Sequence, residues 1–105
     1  MDRQNTQGPG RVLALSSQVA LGHVGLSAAV PVLQALGRGV TALPTILLSN
    51  HPGWPNVAGR AVAVDELQAM IDALEANGWL DDHDTLLTGY LPSAGHVALA
   101  ARLID

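Results

Sequence analysis

Short, continuously apolar runs alternate along the chain with segments in which apolar residues recur at helical spacing. Val12–Ser16 and Val40–Leu48 are runs of the first kind, and Thr85–Thr88 is predicted to be a third short strand. Such runs are typical of strands that are buried on both faces of a sheet. Pro44 lies inside the second run and predicts an irregularity in that strand. Ser49–Gly59 is dense in proline, glycine and asparagine, and it predicts a loop or a loose hairpin.

Three segments have the composition and spacing of helices. Leu26–Leu36 is followed by Gly37, a natural helix stop. Asp65, with Gln68 three residues later, has the pattern of a capping box at the start of the second helix. Ser93 is the expected cap of the third helix. The apolar stripes expected to face the sheet are Leu67, Met70, Ile71 and Leu74 in the second helix, and Val97, Ala100, Ala101 and Ile104 in the third.

The order strand, helix, strand, loop, helix, strand, helix predicts an α/β domain with right-handed crossovers and a parallel sheet. A chain of 105 residues is enough for one small domain. Residues 1–10 are polar and lack periodicity, so we expect a flexible leader there and one folded unit over residues 11–105. Three parallel strands alone would leave exposed edges, which suggests part of a larger doubly wound domain or strands supplied by a partner.

Composition and charge exclude several classes of function. The formal net charge is −4 and only five residues are Lys or Arg, so neither nucleic acid nor an anionic membrane surface is an expected partner. The chain has no cysteine, which excludes disulfides, thiolate catalysis and Cys-ligated zinc. No apolar run has transmembrane length, and the polar N-terminus does not read as a secretory signal. We therefore expect a soluble, cytoplasmic protein.

Polar residues follow each predicted strand, at the edge where open α/β sheets bind ligands. We therefore expect a small polar ligand there, and the alternative is that these residues simply form the turns. No phosphate-binding loop, dinucleotide fingerprint or metal-ligand spacing of histidines occurs, and no metal site is expected. The acidic segment around His83 would attract a cation weakly or form a solvated turn. The residues expected at the ligand edge are Ser17, Gly22, His23, Gly25, Ser49, Asn50, His51, Thr88, Gly89 and Tyr90.

Four collinear motifs resemble those of pyridoxal kinases. Val12–Ala29 resembles the first strand, loop and helix of that family, with its Ser-x-Val-x-x-Gly-x-x-Gly loop. Leu48–His51 (LSNH) resembles the family's F-S-N-H at the end of the next strand. Asp65–Gln68 (DELQ) resembles the start of the following helix, and Thr88–Tyr90 (TGY) resembles the family's T/S-G-Y-L turn. The resemblance runs from Val12 to the end of the chain and corresponds to the N-terminal portion of such a kinase.

The resemblance implies a ribokinase-like fold, a three-layer doubly wound parallel sheet. It also implies ATP-dependent phosphorylation of the 5′-hydroxymethyl group of pyridoxal, pyridoxamine or pyridoxine. In the family, the serine that matches Ser17 hydrogen-bonds the pyridine ring. A flat ring with polar edges needs apolar walls and a few oriented polar groups. The resemblance implies that the substrate-binding residues are Ser17, Val24, Ile46, Leu48, His51, Pro52 and Tyr90.

Three positions depart from the family's pattern. Pro52 stands where the family usually has a threonine that contacts the substrate, and proline offers neither a hydroxyl nor a backbone N–H. Leu48 replaces the usual phenylalanine, so one wall of the expected pocket has no aromatic face. Leu26 replaces the usual asparagine after the second glycine of the loop.

The family's G-x-G-D motif, whose aspartate is the catalytic base, does not occur in this chain. We therefore expect ATP and Mg²⁺ to be cofactors of a full-length enzyme, and expect this chain alone to bind neither and to be inactive. Family members are commonly dimers, which implies a homodimer with the loop around Trp54 near the interface. The alternatives are a non-catalytic binding module of the same fold and part of a hydroxymethylpyrimidine-type kinase.

Overall fold

The computed structural model describes residues 10–104 of the chain. The predicted leader lies outside this part except for Gly10, and so does Asp105, the last residue of the predicted folded unit. Four strands, three α-helices and one short 3₁₀ helix (Leu80–Asp82) follow each other within the described residues. In chain order the strands and α-helices are β1 (Arg11–Val19), α1 (Leu26–Ala35), β2 (Val40–Leu48), β3 (Gly59–Ala61), α2 (Val64–Ala76), β4 (His83–Thr88) and α3 (Ala94–Ile104).

The four strands form one sheet in the order β3-β2-β1-β4. β1 is central and runs parallel to both β2 and β4, as the alternation of strands and helices predicts. β3 is antiparallel to β2, so the sheet is mixed rather than purely parallel. Of the two predictions for Ser49–Gly59, a loop or a loose hairpin, the structure shows a hairpin, and the strand β3 was not placed in advance. β3 has three exposed residues, which is too short a segment for any apolar pattern.

Helices flank the sheet on both faces, and the predicted α/β fold class is confirmed. α2 and α3 contribute Leu67, Ile71 and Leu99 to a core that includes Leu13 and Leu15 of β1. Side chains alternate along a strand, so the buried residues Val12 and Ala14 face the opposite side of the sheet. There α1 lies against β1 and β2.

Glycines end α1 and α2, as expected at Gly37 and Gly78. Both have positive φ values, 84° and 78°. At the end of α1, the Gly37 N–H donates to the Gln34 carbonyl, and the next residue, Arg38, donates to the Leu33 carbonyl. The same pair of bonds closes α2. This Schellman arrangement satisfies carbonyls that would otherwise lack donors.

The two predicted helix caps have different outcomes. Ser93 caps α3 as expected, because its Oγ accepts a hydrogen bond from the His96 N–H at 3.3 Å. The capping box of α2 is wrong. The helix begins at Val64, one residue earlier, and no side chain caps it. Gln68 reaches forward along the helix to the Asp72 carboxylate instead of back to the helix start.

The buried face of α3 also differs from the predicted stripe. His96, Leu99 and Ala100 are buried, whereas Val97 and Ile104 are exposed. Only Ala100 belongs to both sets. The reason is that both ring nitrogens of His96 form hydrogen bonds within the protein. Nε2 donates to the Val62 carbonyl and Nδ1 accepts from the Ser93 hydroxyl, both at 2.7 Å. A histidine with both nitrogens bonded can be buried at an apolar position. Burial of His96 turns the buried face of α3 away from Val97.

Candidate functional site

The carboxyl ends of β1, β2 and β4 lie side by side at one edge of the sheet. Ser17 pairs with Ile46 in the β1–β2 ladder, and Leu15 pairs with Thr88 in the β1–β4 ladder. The segments that follow β1 and β2 are tied together by backbone hydrogen bonds from Ala20 to Leu48, at 2.8 Å, and from Leu21 to Ser49, at 2.9 Å. The three segments predicted to converge are therefore adjacent.

Ser17 belongs to β1, which corrects the prediction that it begins a loop. Residues 17 to 19 continue the ladder with β2 as far as Leu48, because pairing with β2 extends β1 beyond its apolar run. Gly25, at the start of α1, lies directly against Ser17. It has a φ of 57°, and a side chain there would overlap the Ser17 carbonyl and hydroxyl oxygens. This glycine lets the helix begin beside the serine.

The β1–β2 ladder shifts register at the proline, as predicted. Ser16 pairs with Pro44 and Ser17 with Ile46, so Thr45 is the extra residue of a bulge in β2. Thr45 is fully buried. Its hydroxyl donates to the Tyr90 carbonyl at 2.7 Å, and its own carbonyl accepts from the Val62 N–H at 2.9 Å. The only feature of the sequence that pointed to Thr45 was the neighbouring proline, so this residue was not predicted.

The turn after β4 is packed closely on β1. The Gly89 N–H donates to the Leu15 carbonyl at 2.8 Å. A Cβ at Gly89 would overlap the hydroxyl of Ser16, so only glycine fits without a shift. Tyr90 follows with a side chain that is 56% exposed. The aromatic residue of the TGY motif therefore stands at the open edge of the site.

The loop between β2 and β3 is held by its own polar groups. Ser49 accepts from the Ala58 N–H through its hydroxyl, and Asn50 donates to the carbonyls of His51 and Asn56. The His51 Nδ1 accepts from the Gly53 N–H at 2.9 Å, which leaves Nε2 directed away from that bond. Since residues 51 to 58 are all exposed, any ligand contact from His51 or Pro52 comes from a surface loop.

The predicted substrate residues thus fall into two groups. Ser17, Ile46 and Leu48 are brought together on paired strands, and each is partly buried. The other group consists of Val24, His51, Pro52 and Tyr90, which lie in the three exposed segments after the strands. Among the described residues, the structure shows no hydrogen-bond partner for the hydroxyl of Ser17, which lies close to Gly25.

A separate surface hollow of about 410 Å³ lies beside the β2–β3 loop. Trp54 and Leu21 are its apolar walls, and both are largely exposed. Four residues of the loop complete it: Ser49, Asn50, Pro55 and Asn56.

The opposite, amino-terminal edge of the sheet carries an ion pair between Arg38 and Asp84. The Asp84 carboxylate also accepts hydrogen bonds from the Thr85 hydroxyl and the Gly10 N–H. The Thr85 hydroxyl, followed by the Arg38 guanidinium, lowers the pKa of Asp84 below its usual value. His83 is engaged with the Thr41 hydroxyl through Nε2 at 2.7 Å. Within residues 10–104, no group of three His, Asp or Glu side chains could hold a metal ion.

No protein-family model matches the chain. A pyridoxine/pyridoxal/pyridoxamine kinase from Bordetella avium is 38% identical over 93 residues, which is 89% of this chain and 31% of the relative. The pyridoxal kinase of Leishmania donovani, solved with ADP and pyridoxamine, superimposes with a TM-score of 0.86 at 36% identity, over 90% of this chain and 33% of that one. The chain therefore spans about a third of the length of its relatives.

A second solved structure, from Bacteroides thetaiotaomicron and described as a phosphomethylpyrimidine kinase candidate, superimposes with a TM-score of 0.82 at 26% identity. The chain has the ribokinase-like fold, the fold class of the solved kinases on which it superimposes. Within that class, the chain is homologous to the N-terminal portion of pyridoxal kinases.

In the described part of the chain, no helix is both long and apolar enough to cross a membrane.

Proposed function

We propose that this chain supplies the vitamin-side half of a kinase that transfers a phosphoryl group from ATP to the 5′-hydroxymethyl group of pyridoxal, pyridoxamine or pyridoxine. One observation carries the proposal. Ser17, Ile46 and Leu48 come together at the carboxyl edge of a sheet that superimposes on a pyridoxal kinase solved with a vitamin B6 ligand. In open α/β sheets this edge is where ligands bind.

The proposed roles follow from the chemistry of each side chain. The Ser17 hydroxyl has no partner among the described residues, and it would bond the polar edge of the pyridine ring. Val24, Ile46 and Leu48 would form apolar walls for its faces. The His51 ring and the Tyr90 phenol would add polar and aromatic contacts from the exposed segments, where Pro52 contributes only apolar surface.

The phosphate-donor side of the reaction lies elsewhere in this proposal. No residue among 10–104 is assigned to ATP or Mg²⁺, and none is assigned as the catalytic base. A segment with the G-x-G-D motif would supply that base and the donors that stabilise the transferring phosphoryl group. We further propose that the complete enzyme acts in the cytoplasm as a homodimer, with the loop around Trp54 near the interface. The exposure of Trp54 and Leu21 supports that placement.

The proposal is tested by joining this chain to the remaining two-thirds of the Bordetella avium relative. The joined protein is expected to convert pyridoxal to its 5′-phosphate with ATP, and the separate chain is expected to form no product. Absence of product from a folded joined protein would overturn the proposal. A hydroxymethylpyrimidine is the natural second substrate to assay, because the Bacteroides neighbour is a phosphomethylpyrimidine kinase candidate. A preference for it would support a hydroxymethylpyrimidine-type kinase instead.

A further inference from the structure

Thr45 is the one bulge residue of β2, and its hydroxyl connects the two sides of the proposed site. β1 lies between β2 and β4 in the sheet, so the bond from Thr45 to the Tyr90 carbonyl spans the central strand. Its backbone is fixed as well, because the Thr45 carbonyl accepts from Val62. Since Thr45 is fully buried, it cannot touch a ligand at the surface itself.

Tyr90 depends on its backbone for its position. The residue is 56% exposed, so packing does little to orient its side chain. Three contacts hold the turn instead: Gly89 donates to Leu15, the glycine lies against the Ser16 hydroxyl, and Thr45 donates to the Tyr90 carbonyl. Only the third of these acts on Tyr90 directly.

The bulge explains how β2 can pair with β1 and also bond the turn after β4. Without the extra residue, the strand would continue its pairing past Pro44 in the same register. With it, Ile46 pairs with Ser17 while Thr45 is released from that ladder to bond the Tyr90 turn. Bulges commonly re-aim a side chain next to an active site.

We propose that Thr45 is a positioning residue that holds Tyr90, in the turn beside β1, at the vitamin-binding edge. The proposal rests on the proposed function, since it gives Tyr90 a ligand to contact. It adds a specificity determinant that lies beneath the pocket and acts through a single hydrogen bond to a backbone carbonyl. Loss of that bond would release the Tyr90 ring without removing any group that touches the ligand.

The test uses the 105-residue chain and the variants Thr45→Val and Thr45→Ser. Valine keeps the shape of threonine but removes the donor, whereas serine keeps the donor. Thr45→Cys, a weak donor, replaces the valine variant if that protein does not fold. Thr41→Val is the matched control, because it removes a β2 hydroxyl that bonds His83 at the other edge of the sheet.

Two readouts separate positioning from general stability. The first is hydrogen exchange of the Gly89 amide relative to the Val12 amide, which bonds Gly39 at the far end of β1. The second is the affinity for pyridoxine, which carries no aldehyde to react with the terminal amine. Thr45→Val is expected to speed Gly89 exchange selectively and to weaken pyridoxine binding about fivefold to tenfold. Thr45→Ser should restore both, and Thr41→Val should change neither.

Unchanged Gly89 exchange in Thr45→Val would overturn the positioning role, whether or not a ligand binds. Faster exchange with unchanged pyridoxine affinity would show that the turn is held by Thr45 but does not determine binding, which also overturns the proposal. A wild-type chain that does not bind pyridoxine at all contradicts the proposed function, and the inference about substrate falls with it. That outcome is measured on the wild-type protein alone, so it is distinguishable from a failure of the positioning role of Thr45.

Discussion

Individual glycines and hydroxyls decide how closely the segments of the ligand edge approach one another. Gly25 leaves room for α1 to begin against Ser17, and Gly89 leaves room for the β4 turn to cross the Ser16 hydroxyl. Glycines are visible in the sequence, but which atom each one approaches depends on strand register. That is why the sequence indicated turns here and could not identify Thr45 as their anchor.

Gly89→Ala is expected to destabilise the chain by about 1–3 kcal/mol, because the added methyl group must displace Ser16 in a closely packed turn. Chemical denaturation measures the free energy of unfolding. Ser16→Gly, combined with Gly89→Ala, removes the side chain that the methyl would meet and should recover part of the loss. Additive effects of the two substitutions would contradict the contact.

The Asp84 carboxylate gives the chain a testable pH dependence. Its pKa is lowered in the folded state by Thr85 and Arg38, so the carboxylate stabilises the fold above the unfolded value, about 3.9. That contribution is lost as the pH falls through the lowered folded value. Asp84→Asn should therefore lower the Tm at neutral pH, and the two melting curves should converge below about pH 4.

High salt provides the control for this exposed group, because it screens the Arg38 interaction and should shrink the difference at neutral pH. A Tm difference between wild type and Asp84→Asn that stays constant from neutral to acid pH would show that the charge of Asp84 is not the cause.

At the scale of elements, strands and helices were predictable where the apolar runs were long or the apolar residues recurred periodically. β2 spans the predicted residues, and α1 and α2 end at the predicted glycines. β3 was not predicted, because three exposed residues acquire their conformation from pairing with β2 alone. The face of α3 was wrong because the sequence pattern treats His96 as polar, whereas the fold satisfies both of its ring nitrogens.

The orientation of α3 can be checked with two truncations on one helix. Leu99 is 1% exposed and Val97 is 53% exposed. Leu99→Ala should cost about 2–5 kcal/mol of unfolding free energy, as expected for a buried leucine. Val97→Ala should stay within about 0.5 kcal/mol of wild type, as is usual for surface changes. If Val97→Ala destabilised the chain more than Leu99→Ala, the apolar stripe predicted from the sequence would be the buried face of α3.

At the scale of the whole molecule, the chain has a mixed four-stranded sheet between helices and aligns with about a third of each kinase that it resembles. The class of fold followed from the order of elements, and the kinship followed from four motifs in the right order. The sequence could not show how close Ser17, His51 and Tyr90 lie to one another. In the structure Ser17 pairs with β2, whereas His51 and Tyr90 lie in exposed segments.

The central claim is that the carboxyl edge of this sheet binds a vitamin B6 vitamer. It is tested most directly by titrating the chain with pyridoxine and following its backbone amide resonances. We expect saturable shifts at Ser17, Ile46 and Tyr90, and a weaker affinity for pyridoxine in Ser17→Ala. The claim would be contradicted if no amide shifted up to the solubility limit of pyridoxine, or if the shifts clustered in the hollow beside Trp54 instead.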